Sequence, residues 1–254
     1  MERKVRVAAV SYLNTRPLLY GFRDHPVMEQ VELSVDYPAK IARQLINDEV
    51  DVGLIPVAVI PQLKEYHIIS DYCIGAEGPV ASVCIFSDAP LEEIENIYLD
   101  YQSRSSVELA RLLLRDYWKL TPRFIAATRG YEERVKGKDA GVIIGDRALR
   151  QRTCNKYIYD LAEAWIAHTG LPFVFAAWIS NKPLPEDFIR QFNEATGAGT
   201  RGQALDRVIA GTPCDFFDLR EYYTQHISYP LTPAKRKGLE KFLSCLQQPA
   251  AAER

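Results

Sequence analysis

Val7-Ala-Ala-Val-Ser-Tyr-Leu-Asn-Thr-Arg-Pro-Leu-Leu-Tyr-Gly-Phe22 reads as a strand, a polar turn and a helix in immediate succession. Val5 to Val10 is short, apolar and β-branched, the composition of a strand covered on both faces. Ser11 breaks the apolar run. Asn14 and Thr15 are candidate N-caps, and Pro17 falls in the first helical turn, where its missing N–H costs nothing. A strand end that feeds a helix N-terminus suits an anion, because free backbone N–H groups and the helix dipole converge there. From this stretch alone, an ordinary capped β–α turn reads the same way.

Working outward, Val31 to Tyr37 alternates as a half-buried strand does, and Pro38 opens a helix with Ile41, Ala42, Leu45 and Ile46 on one face. Val50 to Val59 is a third strand, with Pro56 placed to end it. The first sixty residues are therefore β-α-β-α-β, the repeat of a parallel α/β sheet with right-handed crossovers. A second series runs from Ile97 to Gln151. It comprises a brief strand, a helix with Ser105 or Ser106 as cap and Glu108 in its first turn, strands at Pro122 to Ala127 and Gly141 to Gly145, and Asp146 placed to cap the helix from Arg147.

No Pro/Ser-rich spacer separates the two series, so strands themselves are expected to cross between lobes. Val80 to Phe86 and Phe173 to Ile179 are the candidates. The C-terminal helices would then return to the first lobe, giving a discontinuous lobe of residues 1–86 plus 178–254, a second of 87–177, and a ligand cleft between them. The last helix, Pro233 to Leu246, packs Leu239, Phe242, Leu243 and Leu246 and puts Lys235, Arg236, Lys237 and Lys241 on a solvated face. Residues 249–254 are expected to fray.

Composition narrows the function classes. The chain has 254 residues, 47% hydrophobic and 25% charged, with a formal net charge of -2. No Lys/Arg stripe is present, which argues against nucleic acid as a partner. The charged N-terminus runs straight into the first strand without an apolar signal core, and no apolar run is long enough to span a bilayer. Both point to the cytoplasm and away from a membrane. The five cysteines and four histidines are dispersed, without the spacing of a disulfide framework or a metal site.

Several stretches, in order, resemble the chorismate dehydratase family of menaquinone biosynthesis. They are Ser11 to Leu18 (Ser-Tyr-Leu-Asn-Thr-Arg-Pro-Leu), Gly78 to Ser82, the Ser103-Arg-Ser-Ser-Val-Glu-Leu-Ala-Arg run, Ile144-Gly-Asp-Arg-Ala-Leu, Thr169-Gly-Leu-Pro-Phe-Val-Phe-Ala-Ala-Trp, and Ile227-Ser-Tyr-Pro-Leu with Lys237-Gly-Leu-Glu-Lys-Phe. The set covers nearly the whole chain. It implies an α/β, two-lobed fold like the type 2 periplasmic solute-binding proteins, with two crossing strands and the active site in the central cleft. It also implies a reaction, the loss of water from chorismate to give 3-(1-carboxyvinyloxy)benzoate in the futalosine route, with no cofactor. A sister of the same fold, the dihydroxynaphthoate synthase of that route, opens on a Pro-Asn-Asp type signature instead.

Chorismate is a dianion, and a cleft for it needs two anion sites. The helix starts at Asn14–Thr15 and Ser105–Ser106 supply them from opposite lobes. The resemblance assigns the asparagine of the Leu-Asn motif and the serine after Gly-Pro as catalytic, which are Asn14 and Ser82 here. Ser11, Thr15, Ser105, Ser106 and Asp146 are the substrate-binding candidates, with Arg16 and Arg104 as further cations. No His or Glu lies inside the matched motifs as an obvious base. The substrate's own enolpyruvyl carboxylate is therefore the favoured proton acceptor, and Asp146 is its protein-borne rival. Tyr12, Tyr131 and Trp178 are candidates to wall the ring or to fill the core. Two alternatives stay open: a non-catalytic carboxylate-binding protein of the same fold, and the sister synthase.

Overall fold

Residues 3–247 are described by a computed structural model. The strands are β1 (Val5–Val10), β2 (Val31–Asp36), β3 (Val52–Pro56), β4 (His67–Ala76), β5 (Val83–Ser87), β6 (Asn96–Leu99), β7 (Arg123–Ala126), β8 (Asp139–Ile144), β9 (Tyr157–Asp160), β10 (Phe173–Ser180) and β11 (Ser228–Pro230). The helices are α1 (Arg16–Tyr20), α2 (Pro38–Ile46), α3 (Ser105–Asp116), α4 (Gly145–Gln151), α5 (Leu161–Thr169), α6 (Glu186–Gly197), α7 (Gly202–Ala210), α8 (Leu219–Glu221) and α9 (Pro233–Gln247). Residues 249–254, expected to fray, lie outside the described residues. No helix among the described residues is long and apolar enough to cross a membrane.

Two sheets form. The first has the order β11-β4-β10-β3-β1-β2 and the second β7-β6-β8-β5-β9. The opening repeat folds as its pattern dictates: β1 runs parallel to β2, with Val5 opposite Val31 through Val10 opposite Asp36, and parallel to β3 on its other side. The second series is parallel in the same way, with β6 between β7 and β8. Val7 to Val10 and all of β3 are buried, as expected of strands covered on both faces. Pro56 ends β3, and residues 57–62 wind into a 3-10 turn.

The expected crossing strands behave differently. β5 pairs with β8 and β9 and lies wholly in the second sheet. β10 pairs antiparallel with β3 and β4 and lies wholly in the first. The passages between sheets are instead the short segments 77–82 and 170–172. Gly78-Pro79 and Gly170-Leu171-Pro172 interrupt the ladders there, because proline brings no N–H to a strand pair. Val80 to Ser82, read as the start of a strand, belongs to the first of these passages.

α9 also differs in detail. Lys235, placed by its periodicity on a solvated face, is fully buried. Its Nζ donates to the carbonyls of Ser228 (3.0 Å) and Pro230 (2.7 Å) and lies 3.1 Å from Glu77. It thus ties α9 to β11 and to the first passage. Its long apolar stem can cross the packed layer while the ammonium finds acceptors. The break after α6 has a packing cause as well: a Cβ on Gly199 would sit 2.3 Å from the Pro17 carbonyl oxygen, so only glycine lets α1 approach so closely.

Candidate active site

The polar turn of the opening stretch lies in a 3-10 turn (Leu13–Thr15) that leads into the five-residue α1. Neither Asn14 nor Thr15 caps a helix through its side chain. The Thr15 hydroxyl donates instead to Asn14 Oδ1 at 3.2 Å, on one of the oxygen's two lone pairs, and Asn14 Nδ2 carries two N–H donors, of which one can face the cavity. Both side chains are buried, with Asn14 at 9% exposure. An α1 this short carries only a weak dipole, so any anion here would meet side chains rather than a helix terminus.

α3 is the stronger helix start, but its caps also differ from expectation. Ser103 Oγ accepts the Ser106 N–H at 3.1 Å, and Ser105 Oγ accepts the Ala58 N–H at 3.1 Å from the turn after β3. Ser105 is therefore a clasp between the two sheets. Asp146 does not cap α4, whose first residue is Gly145. Its Oδ1 accepts the Leu13 N–H at 3.0 Å, reaching from α4 to the opening stretch. Burial pushes the Asp146 carboxyl up, and the Leu13 N–H and the charge of Arg16 oppose that only in part.

Asn14, Ser82, Ser105 and Ser106 line one small cavity together with Tyr12, Ser103, Gly145 and apolar residues of β10. Residues far apart in sequence thus meet at one place. Thr15 sits behind Asn14. Asp146 and Ser11 do not line the cavity, and Ser11 lies on an outer groove. Of the aromatic candidates, Tyr12 alone is at the cavity. Trp178 packs in the core against Phe22 and Phe192, and Tyr131 is buried in the second sheet's core, donating to Asp100. Arg104 is exposed beside Ser103, and His168 packs at a tilt against Tyr117 at the far end of α5.

Ser82 is held by the first passage. Ala81 takes a left-handed φ of 61°, uncommon for a residue with a Cβ, and its N–H donates to Asp160 Oδ2 at 2.7 Å. The Ser82 carbonyl accepts the Gly145 N–H at 2.8 Å. Behind these groups stand three tyrosines that the sequence reading did not single out. Tyr222 Oη donates to Ser82 Oγ (2.8 Å), Tyr223 Oη to the Leu13 carbonyl (3.0 Å) and Tyr229 Oη to the Asn14 carbonyl (2.9 Å). All three come from one C-terminal segment that includes a π turn over Tyr222–His226. Burial pushes the Tyr222 hydroxyl far above its ordinary value, so it remains a proton donor.

The cavity holds about 50 Å³ of free space, room for a few water molecules. The sheets are drawn together around it by Leu13–Asp146, Ala58–Ser105, the Ala39 N–H on the Gln102 carbonyl (3.1 Å), and the Tyr12 hydroxyl on Gln102 Oε1. This is a closed arrangement, with too little room for a ring that carries two carboxylates.

A family model described as menaquinone biosynthesis matches residues 5–248. The chain belongs to the menaquinone biosynthesis family. Two curated relatives, both named chorismate dehydratase, come from Thermus thermophilus and Campylobacter jejuni. Each is 26% identical to this chain, the first across 94% of this chain and 94% of its own length, the second across 92% and 94%. Among solved structures, a Candida albicans protein described as having the generic periplasmic binding protein fold superposes with a TM-score of 0.64 at 12% identity, covering 99% of this chain and 92% of that one. Likeness at that identity speaks to the fold alone. It agrees with the two-lobed, binding-protein-like architecture implied for the menaquinone biosynthesis family by the sequence.

Proposed function

We propose that the protein is a chorismate dehydratase that converts chorismate to 3-(1-carboxyvinyloxy)benzoate and water, at the head of the futalosine route to menaquinone. The observation that carries this reading is the meeting of Asn14, Ser82, Ser105 and Ser106 around one closable cavity in a chain of the menaquinone biosynthesis family. The lobes are taken to divide at the two passages, residues 77–82 and 170–172, with the site between them. Five free cysteines suit a reducing compartment, and we place the protein in the cytoplasm.

The reaction removes a ring proton and the neighbouring hydroxyl and ends in an aromatic ring, so the site has mainly to orient and polarise. In this reading the N-terminus of the twelve-residue α3, with the Ser105 and Ser106 hydroxyls, receives one carboxylate. Asn14 Nδ2 and the Ser82 hydroxyl receive the leaving hydroxyl and hold it as the C–O bond lengthens. With Asp146 engaged on the Leu13 N–H and off the cavity wall, the enolpyruvyl carboxylate of the substrate takes the ring proton and passes it to the departing hydroxyl, which leaves as water. Closure excludes water and fixes that carboxylate over the ring.

Purified protein mixed with chorismate alone should give the aromatic product, followed by its ultraviolet absorbance and by chromatography. Asn14→Ala should lose turnover by two or more orders of magnitude while still binding chorismate. Tight binding without product in the wild type would establish a binding protein instead. Near-normal turnover by the variant would remove Asn14 from the mechanism.

A further inference from the structure

Outside the closed cavity, an open groove of about 330 Å³ is lined by Ser11, Arg16, Arg23 and Arg207 and by no carboxylate. It shares two wall residues, Val10 and Tyr12, with the cavity. Tyr12 is the partition. Its ring lies where a Cβ on Gly145 would come within 2.8 Å, and its hydroxyl reaches Gln102, which Arg147 also holds at 3.0 Å. Both contacts bridge from the opening stretch to the second sheet. A separation of the sheets would break both contacts and free Tyr12, the residue that stands between groove and cavity.

The charge pattern is local. The chain as a whole carries -2, so it offers a dianion no net attraction. Arg16, Arg23 and Arg207 form no ion pair within 4 Å among the described residues. Asp146 is near enough to Arg16 to feel its charge, and Asp206, the neighbour of Arg207, is taken by Arg220 at 2.8 Å. Three exposed guanidiniums beside apolar Val10, Leu19 and Val208 suit an anion with a hydrocarbon ring.

We propose that this groove is an outer docking site for the dianionic substrate, which collects there before passing Tyr12 into the cavity. The proposal rests on the chorismate reading and deepens it by giving Ser11 and Arg16 a place before the chemistry. The arginines act on arrival and not on the reacting ring, so they set the association rate and leave kcat alone.

The test is stopped-flow binding of 3-(1-carboxyvinyloxy)benzoate, which does not turn over, followed by protein fluorescence, with chorismate turnover measured in parallel. Arg23→Gln/Arg207→Gln should lower the association rate roughly fivefold or more at low salt. Its rate should also lose most of its dependence on ionic strength between about 0.01 M and 0.1 M, where the Debye length shortens from about 30 Å to about 10 Å. Dissociation and kcat should stay within about twofold of the wild type, a change too small to report a lost contact with the reacting ring. Arg43→Gln/Lys64→Gln removes the same charge from residues outside both spaces and should behave as the wild type. A wild type that binds and dehydrates chorismate, with the two double variants indistinguishable, overturns the docking site alone. A wild type that does neither overturns the functional reading and the docking site with it.

Discussion

Tyr222 Oη donates a 2.8 Å hydrogen bond to Ser82 Oγ, joining the C-terminal segment to the first passage between the sheets. Tyr222 has no exposed surface, and its hydroxyl also lies against the Asn14 side chain. With one of its two acceptor lone pairs filled by Tyr222, the Ser82 hydroxyl keeps its own proton to donate into the cavity. Tyr222→Phe keeps the ring and its packing and deletes only the hydroxyl's contacts with Ser82 and Asn14. We expect kcat on chorismate to fall roughly tenfold, the worth of about 1.4 kcal/mol of lost positioning, with KM nearly unchanged and the melting temperature lowered by only a few degrees.

Asp146 distinguishes a positioner from a base. Asp146→Asn retains an acceptor for the Leu13 N–H and cannot take a proton, whereas Asp146→Ala loses both properties. Steady-state rates should be close to the wild type for the asparagine variant and reduced about tenfold for the alanine variant, as the polar turn loosens. Equal collapse of both would make Asp146 the proton acceptor.

Asp51 should dominate the acid limb of stability. Burial would raise its carboxyl. Hydrogen bonds from Arg6 (backbone N at 2.9 Å, Nη2 at 2.8 Å) and from Lys182 outweigh that and hold it well below the usual carboxylate range. A depressed folded value stabilises the protein above the unfolded value of about 3.9, by about 2–3 kcal/mol, and the contribution is lost as pH falls through the folded value. In urea titrations, Asp51→Asn should be less stable by that amount at neutral pH. The gap should close progressively below about pH 4.

Lys235 should be costly to remove despite being remote from the cavity. Lys235→Ala strands the Ser228 and Pro230 carbonyls and leaves a void, a loss of about 3 kcal/mol. Thermal unfolding should shift down by roughly 6–12 °C, with kcat at low temperature retained.

Much of this was legible in the chain. The β-α-β-α-β opening follows from Val5 to Pro56, because alternation and punctuation there agree with the parallel register of β1, β2 and β3. Asn14 with Ser82, and Ser105 with Ser106, were assigned to a cleft from opposite lobes, and all four side chains line one cavity. What periodicity could not give was the destination of side chains that leave their own element. Lys235 reads as solvated because a helical wheel knows nothing of β11 beside it. The caps assigned to Asn14, Ser105 and Asp146 failed for a related reason: each side chain found a partner across the cleft, or next to it in the chain, in place of its own helix end. Tyr222, Tyr223 and Tyr229 were visible as a tyrosine-rich segment, but only the tertiary fold shows that their hydroxyls converge on the opening stretch and on Ser82.

Ser82 ends the passage 77–82, one of only two threads between the sheets among the described residues. A rotation that separated the sheets would pivot through those threads, and would put strain first on the contacts that Ser82 makes with Tyr222 and with the cavity it shares with Asn14. On the chorismate reading, admitting the substrate would loosen the polar cluster, and the site would be complete only while shut.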